Sequence, residues 1–233
     1  YYKGRGAFET VGSGITMQEN DLAFKAVFSY KDYKEKKVID RRCDDQFHTW
    51  GGTELCDYLT NNLVLVDYPE IKVIIQYATE HRCGVCIRGP NLTDQITDTD
   101  PLSNNLPLKI SQPSSSSSKD DSSTSYNIQQ RTSHIINSIS KEIYRLLMLH
   151  PIIIDRKQRQ LKYTNGILLR SAAKWQLLPD FNHKYNLKSF MIAPTAVISG
   201  IGQSMNIPII TVNHATGDYN SNFNNKAIKC AEL

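Results

Sequence analysis

The chain has 233 residues, enough to bury a core without disulfide or metal staples. Hydrophobic residues make up 40% and charged residues 21%, a soluble globular composition, and no apolar run approaches the roughly 18–20 residues of a membrane span. The net charge of +4 is mild, and its bases are scattered, which argues against a nucleic-acid partner and leaves room for a small anionic ligand gripped by a few well-placed Arg. The chain begins at Tyr1 with no signal peptide, so it is expected to be cytoplasmic and to be a piece of a longer chain.

Along the chain, Gly4–Gly14 is glycine-rich, with one helical turn expected at Phe8–Val11. Leu22–Tyr30 alternates as a strand, Lys31–Lys37 forms a charged connection, and Val38–Asp40 is a second short strand. Thr53–Val66 carries Leu55, Tyr58, Leu59 and Leu63 at helical spacing. Ile71–Thr79 is a β-branched strand with Cys83–Ile87 as its hairpin partner. Ser111–Ser125 holds nine serines and almost nothing apolar, and is expected to be a disordered loop within one domain spanning residues 1–233.

Ile128–Leu149 is the strongest predicted helix, ended by Pro151. Beyond it strand and helix alternate: a strand at Gly166–Leu169, a short helix near Phe181–Tyr185, a strand at Ser189–Ala193, a helix at Thr195–Met205, a strand at Ile207–Val212 and a helix at Asn222–Leu233. This order predicts an α/β fold with a mixed, partly parallel sheet flanked by helices.

Five cysteines at irregular spacing argue against a disulfide framework. Cys83-Gly-Val-Cys86 has C-x-x-C spacing, but its surroundings are strand-like and no second pair completes a zinc site, so strand cysteines are favoured over metal or redox chemistry. Gly200 and Gly202 fall inside a helix rather than on the turn before it, which favours close helix packing over a dinucleotide fingerprint. The turn Asn213–Tyr219, between a strand end and a helix start, fits an anion-holding loop as well as it fits a simple capped turn.

The candidate binding residues are charged. Arg41 and Arg42 follow one strand, His81 and Arg82 close another, and Arg170 ends a further one. Any one of them is an ordinary solvated charge. Several Arg at strand ends of one α/β domain point to a small phosphorylated and carboxylated ligand beyond those ends. Asp98 and Asp100 are suited to ligand hydroxyls or to a turn before Pro101, and less to a metal. There is no G-x-S-x-G or H-E-x-x-H nucleophile or metal motif.

These segments, in this order, resemble the archaeal-type 2,3-bisphosphoglycerate-independent phosphoglycerate mutases of the alkaline phosphatase superfamily. Gly4-Arg5-Gly6-Ala7-Phe8-Glu9 looks like their G-R-G-P-F-E, Asp40-Arg41-Arg42 and His81-Arg82 match two later blocks, and Thr97-Asp98-Thr99-Asp100-Pro101 matches T-D-T-D-P. His150-Pro151, Asn165 to Arg170, Pro194 to Met205 and Ala215 to Tyr219 look like the remaining blocks. The resemblance implies a two-domain enzyme in which this chain is the inserted substrate-binding domain. The serine nucleophile and two divalent metals, commonly manganese, then belong to the catalytic domain of the same polypeptide, outside this chain.

The implied reaction interconverts 3- and 2-phosphoglycerate through a phosphoserine, with no 2,3-bisphosphoglycerate requirement, in glycolysis. This chain alone is expected to be inactive. Arg41, Arg42, Arg82 and Arg170 would contact carboxylate and phosphate, Asp98 and Asp100 the glycerate hydroxyls, and His81 would carry a proton or serve structurally. The alternatives are a non-catalytic binding module and a related metal-dependent phosphohydrolase. Three departures stand out: Cys43-Asp44-Asp45 replaces the family's A-G-R, Val27 replaces an Asn, and Arg170-Ser171-Ala172-Ala173 replaces R-G-x-G.

Overall fold

Strand β1 (Leu22–Asp32) organises the molecule, because its alternating side chains serve two different environments. Leu22, Phe24, Ala26 and Phe28 enter the main core, whereas Ala23 enters a smaller cluster on the opposite face. The computed structural model describes residues 4–43, 47–114, 123–175, 178–216 and 221–233. Within them, β1 pairs on one side with β4 (Arg82–Arg88) and on the other with β6 (Gly166–Lys174), while its far end forms a hairpin with β2 (Lys37–Asp40). The edge strands β3 (Lys72–Thr79) and β5 (Leu106–Pro107) complete a six-stranded sheet.

One face is covered by α3 (Gly52–Asn62) and the long α4 (Ser123–Leu149), with the single turn α2 (Phe47–Trp50) beside them. Ile135, Ile136, Ile139, Ile143, Leu146 and Leu147 form the buried stripe of α4, and Leu55, Cys56 and Leu59 that of α3. On the other face, α1 (Gly6–Gly12) covers only the end of the sheet at Ala23, Cys86 and Ala173. The rest of that face carries the charged residues described below.

Helix α1 in turn crosses α7 (Ala196–Ser204) at glycines. A Cβ on Gly12 would fall 1.7 Å from the Ala196 carbonyl oxygen, and one on Gly200 would fall 1.8 Å from that of Phe8. The glycine pair at 200 and 202 is therefore packing, as its helical placement predicted. Because the obstruction is backbone on both sides, Gly200→Ala is expected to cost about 3 kcal/mol or more, toward the severe end of overpacking. Chemical denaturation measures it, and a loss below about 0.5 kcal/mol would show that the crossing relaxes freely.

The mixed α/β class with a helix-flanked sheet is as predicted, but its parallel part is minimal. All pairings among the named strands are antiparallel. The predicted strands at 189–193 and 207–212 meet only at the parallel bridge between Met191 and Ile209. Pro194 ends the first segment and Pro208 lies within the second, and a residue without an N–H cannot extend a ladder.

Further differences are local. Strand β6 continues past Leu169 through a bulge, where three steps on β6 match two on β1 and Ser171 adopts φ +57°. Pro151 ends α4 as expected but also opens α5 (Pro151–Gln158), with the His150 side chain accepting from the Ile152 N–H. The disordered loop expected over 111–125 does not hold at its two ends. Ser111 is buried, its N–H donating to Asn137 Oδ1 at 2.8 Å, and Ser123–Ser125 open α4; residues 115–122 lie outside the described residues. Two short helices, α6 (Phe181–Tyr185) and α8 (Phe223–Glu232), lie as predicted.

Candidate functional site

Register places the charged residues. Lys25 lies directly opposite Arg170 on β6, and Val27 lies between Arg82 on β4 and Leu168 on β6. Cross-strand partners share a face, so Lys25, Arg82 and Arg170 project on the face that α1 partly covers, with Lys25 reaching Glu9 of α1. In an antiparallel sheet the strand ends do not converge on one edge. The ligand crevice expected beyond strand ends is thus replaced by a sheet face: Arg170 is mid-strand, Arg82 opens β4 rather than closing a strand, and Asp98 follows only the Ile96–Pro113 bridge.

The segment Asp98–Asp100 is held along the free edge of β6. Thr99 N–H donates to the Leu169 carbonyl and Leu169 N–H to Thr99 Oγ1, both at 2.9 Å. Asp98 Oδ1 accepts from the N–H of the bulged Ser171 at 2.8 Å. Asp100 turns inward and is gripped by Arg41, whose Nε and Nη2 donate to its two oxygens at 2.8 and 2.6 Å. With both oxygens engaged, Arg170 is left at 3.9 Å from Asp100, its buried Nε without a hydrogen-bond partner.

The two carboxylates are pushed in opposite directions. Burial disfavours ionisation of Asp100, but the Arg41 fork, the Leu102 N–H and the Arg170 charge outweigh it, and its pKa lies below the ordinary value. Burial raises the pKa of Asp98, with the neighbouring Asp100 charge adding to the effect against the Ser171 N–H. Asp100 is held as an anion, whereas burial makes Asp98 easier to protonate than an ordinary aspartate; as a carboxylate it can accept from a ligand hydroxyl.

At the other end of the strip, Glu9 of α1 is buried and receives both Arg5 Nε and Lys25 Nζ at 2.8 Å on one oxygen. Burial lowers the pKa of Lys25 despite Glu9. These residues open onto a cleft of about 490 Å³ lined by Arg5, Lys25, Arg82, Thr195 and Thr216. Arg82 reaches Glu80 at 3.1 Å and remains partly exposed. A second cleft of about 490 Å³ is lined by Arg41, Arg42, Asn104 and Lys162.

The structure thus brings Arg41, Asp98, Asp100 and Arg170 together and sets Arg82 on the same face. Arg42 is exposed on the second cleft, and His81 is buried in the turn between β3 and β4. Lys25, Arg5 and Glu9 were not singled out from the sequence as ligand-binding residues. Their signal was a lysine inside an otherwise apolar strand and an acid inside the glycine-rich block.

Other candidates resolve simply. Cys83 and Cys86 belong to clusters on opposite faces, so they cannot act as a pair, and burial pushes the Cys86 thiol up to about 12. None of the five cysteines is joined to another in a disulfide. Of the turn at 213–219, Ala215 and Thr216 line the Arg5 cleft, and Gly217, Asp218 and Tyr219 lie outside the described residues. Among the described residues no group of three or more His, Cys, Asp or Glu is placed to hold a metal ion, so no metal centre is assigned to them. Nor is any helix of the described residues long and apolar enough to cross a membrane.

The family model for 2,3-bisphosphoglycerate-independent phosphoglycerate mutase matches residues 1–153. This chain belongs to that family. Named mutases of this kind match it nearly throughout: that of Saccharolobus solfataricus is 32% identical over 233 residues, covering 100% of this chain and 53% of the relative. That of Methanococcus vannielii is 35% identical over 226 residues, covering 97% and 52%. The solved cofactor-independent phosphoglycerate mutase of Thermoplasma acidophilum superposes with a TM-score of 0.68 at 27% identity, covering 100% of this chain and 58% of that one. The PH0037 protein of Pyrococcus horikoshii, at 18% identity and TM-score 0.67, shares the fold. The chain spans about half the length of the curated relatives it matches.

Against the phosphoglycerate mutase pattern, the three departures fall differently. Val27 is buried on the cationic face, beside Arg82. Ser171 holds the positive φ that a glycine would adopt without strain, and its carbonyl would lie 2.4 Å from a Cβ on Gly6, so the first glycine-rich block packs directly on this bulge. Asp44 and Asp45 lie outside the described residues.

Proposed function

We propose that this chain binds phosphoglycerate on the cation-bearing face of its sheet, as the substrate-binding part of a mutase that interconverts 3- and 2-phosphoglycerate. The observation that carries this reading is the arrangement around Asp100. Arg41 binds both oxygens of the carboxylate and Leu102 N–H adds a third bond, while the Arg170 guanidinium beside it has no short carboxylate bond of its own. A guanidinium held in place but not neutralised is suited to a carboxylate or phosphate, which it grips bidentately.

In this reading Arg170 and Arg82 take the anionic ends of the substrate, with Arg42 available from the adjoining cleft. Asp98 orients a glycerate hydroxyl. Arg41 and Asp100 position the loop, and His81 acts from beneath the surface. The serine nucleophile and two divalent metals, manganese by family resemblance, belong to the catalytic domain of the same polypeptide. When bound there, the metals would offset phosphoryl charge. This chain's share is to hold glycerate during reorientation and to keep water from the reacting group. No 2,3-bisphosphoglycerate is required, and the protein works in the cytoplasm, in glycolysis.

The test is the full-length protein assayed with manganese. Interconversion of 2- and 3-phosphoglycerate is expected, and residues 1–233 alone should show no turnover. Release of inorganic phosphate would identify a phosphohydrolase instead. Binding without either reaction would identify a non-catalytic module, a reading favoured by Val27 on the cationic face.

A further inference from the structure

We propose that Lys25 and Arg5 form a phosphoryl subsite next to Arg170, so that the face takes a phosphorylated acid in one orientation. The inference rests on the reading that this face binds phosphoglycerate, and it assigns each end of that ligand to its own residues.

Lys25 is a charge in the middle of the sheet. Its cross-strand neighbours are Arg170 on β6 and Gly84 on β4, and its side chain is 8% exposed. Gly84 decides what covers it. A Cβ there would fall 2.4 Å from Ser13 Oγ and 2.9 Å from Thr10 Cα, so glycine lets α1 lie directly on the sheet. Thr10 Oγ1 fastens that contact by donating to the Phe24 carbonyl at 3.2 Å. The seating carries Glu9 over Lys25. One Glu9 oxygen, Oε1, then accepts from Lys25 Nζ and from Arg5 Nε, both at 2.8 Å. A single carboxylate oxygen holds two cations side by side.

That arrangement leaves positive charge over. Among the described residues the cleft carries Arg5, Lys25 and Arg82 against Glu9 and Glu80. An ammonium has three N–H bonds and a guanidinium five, so Glu9 engages only part of what the two groups can donate. Thr195 and Thr216 bring hydroxyls to the same cleft, and the Thr195 side chain makes no capping bond to α7. A phosphoryl group carries three strong acceptor oxygens and nearly two charges, which suits donors converging from several elements. A carboxylate is matched by one guanidinium fork, which Arg170 supplies beside Asp98. Directly opposed residues on paired strands have Cα atoms about 5 Å apart, so a three-carbon acid can span from Arg170 to the Lys25 cleft. Burial lowers the Lys25 pKa, and the Arg5 and Arg170 charges push the same way against Glu9. A bound anion would relieve that mutual repulsion.

The experiment is calorimetric titration of the full-length protein with 3-phosphoglycerate, for wild type, K25M, R5Q and R170A. Glycerol 3-phosphate, which keeps the phosphoryl end, and glycerate, which keeps the carboxylate end, are titrated as competitors. In K25M the Glu9 carboxylate keeps Arg5, and in R5Q it keeps Lys25. Both variants are expected to weaken 3-phosphoglycerate and glycerol 3-phosphate by about 10- to 100-fold and glycerate by less than about twofold. R170A is expected to weaken glycerate more than glycerol 3-phosphate. If K25M and R5Q bind 3-phosphoglycerate as wild type does, or lose glycerate as much as glycerol 3-phosphate, the inference is overturned while the function reading stands. If wild type does not bind 3-phosphoglycerate, the function reading falls and this inference with it. Should K25M fail to fold, R5Q decides, because the Arg5 side chain is 42% exposed and its loss leaves no enclosed cavity.

Discussion

Replacing Arg41 by alanine is expected to cost about 3–5 kcal/mol of stability, the usual penalty for stranding one member of a buried ion pair. The Arg41 side chain is 10% exposed and that of Asp100 is fully buried, so the variant removes two short hydrogen bonds from an enclosed carboxylate. What remains is the Leu102 N–H at 2.9 Å and Arg170, which at 3.9 Å is beyond hydrogen-bond distance. The loss should depend on pH in a definite direction. Asp100 has a lowered pKa, so the stability it contributes is present above the ordinary carboxylate range and disappears as pH falls through its depressed value. Denaturant melts of wild type and Arg41→Ala at pH 7 and near pH 3 measure this. The difference should be large at pH 7 and shrink at the acid end. A variant as stable as wild type at pH 7 would show that the pair is ornamental.

Arg170→Ala should separate binding from stability. Its buried Nε makes no hydrogen bond, and Asp100 keeps Arg41 when it is removed. Stability is therefore expected to stay within about 1 kcal/mol of wild type. Affinity for 3-phosphoglycerate should fall by about 2–3 kcal/mol, roughly 30- to 150-fold, the value of a charge-assisted contact to an anion. In the full-length protein the loss should appear in kcat/KM. An unchanged Kd, with the fold intact, would remove Arg170 from the site and with it the main support for the functional reading. Together the two variants assign the neighbouring arginines different tasks: Arg41 holds the carboxylate, and Arg170 waits beside it for a ligand.

Much of this architecture was written in local pattern. The alternation of Leu22, Phe24, Ala26 and Phe28, the isoleucine stripe of α4 and the helical phase of Gly200 each follow from side-chain period alone, because burying one face of an element needs only the right spacing. The ordered blocks from Gly4 to Ala215 also carried the family. Chemistry-bearing residues such as Arg41, Asp98, Asp100 and Arg170 stood out by type.

Their relationships did not. Nothing local says that Asp100 spends both oxygens on Arg41, which lies 59 positions away, or that Thr99 clips the edge of β6. The β3–β4 hairpin was legible, but the antiparallel pairing of β1 with β4 and with β6 was not, since a strand's sequence does not name a distant neighbour's direction. That pairing moved the candidate site from a crevice at strand ends to the face of the sheet, and it brought in Lys25, which sequence alone leaves as a strand lysine. The sequence determined which segments form helices and strands, and which charges exist. Tertiary structure decided which charges neutralise each other and which remain for a ligand, because that balance depends on distances and burial set by register across the sheet.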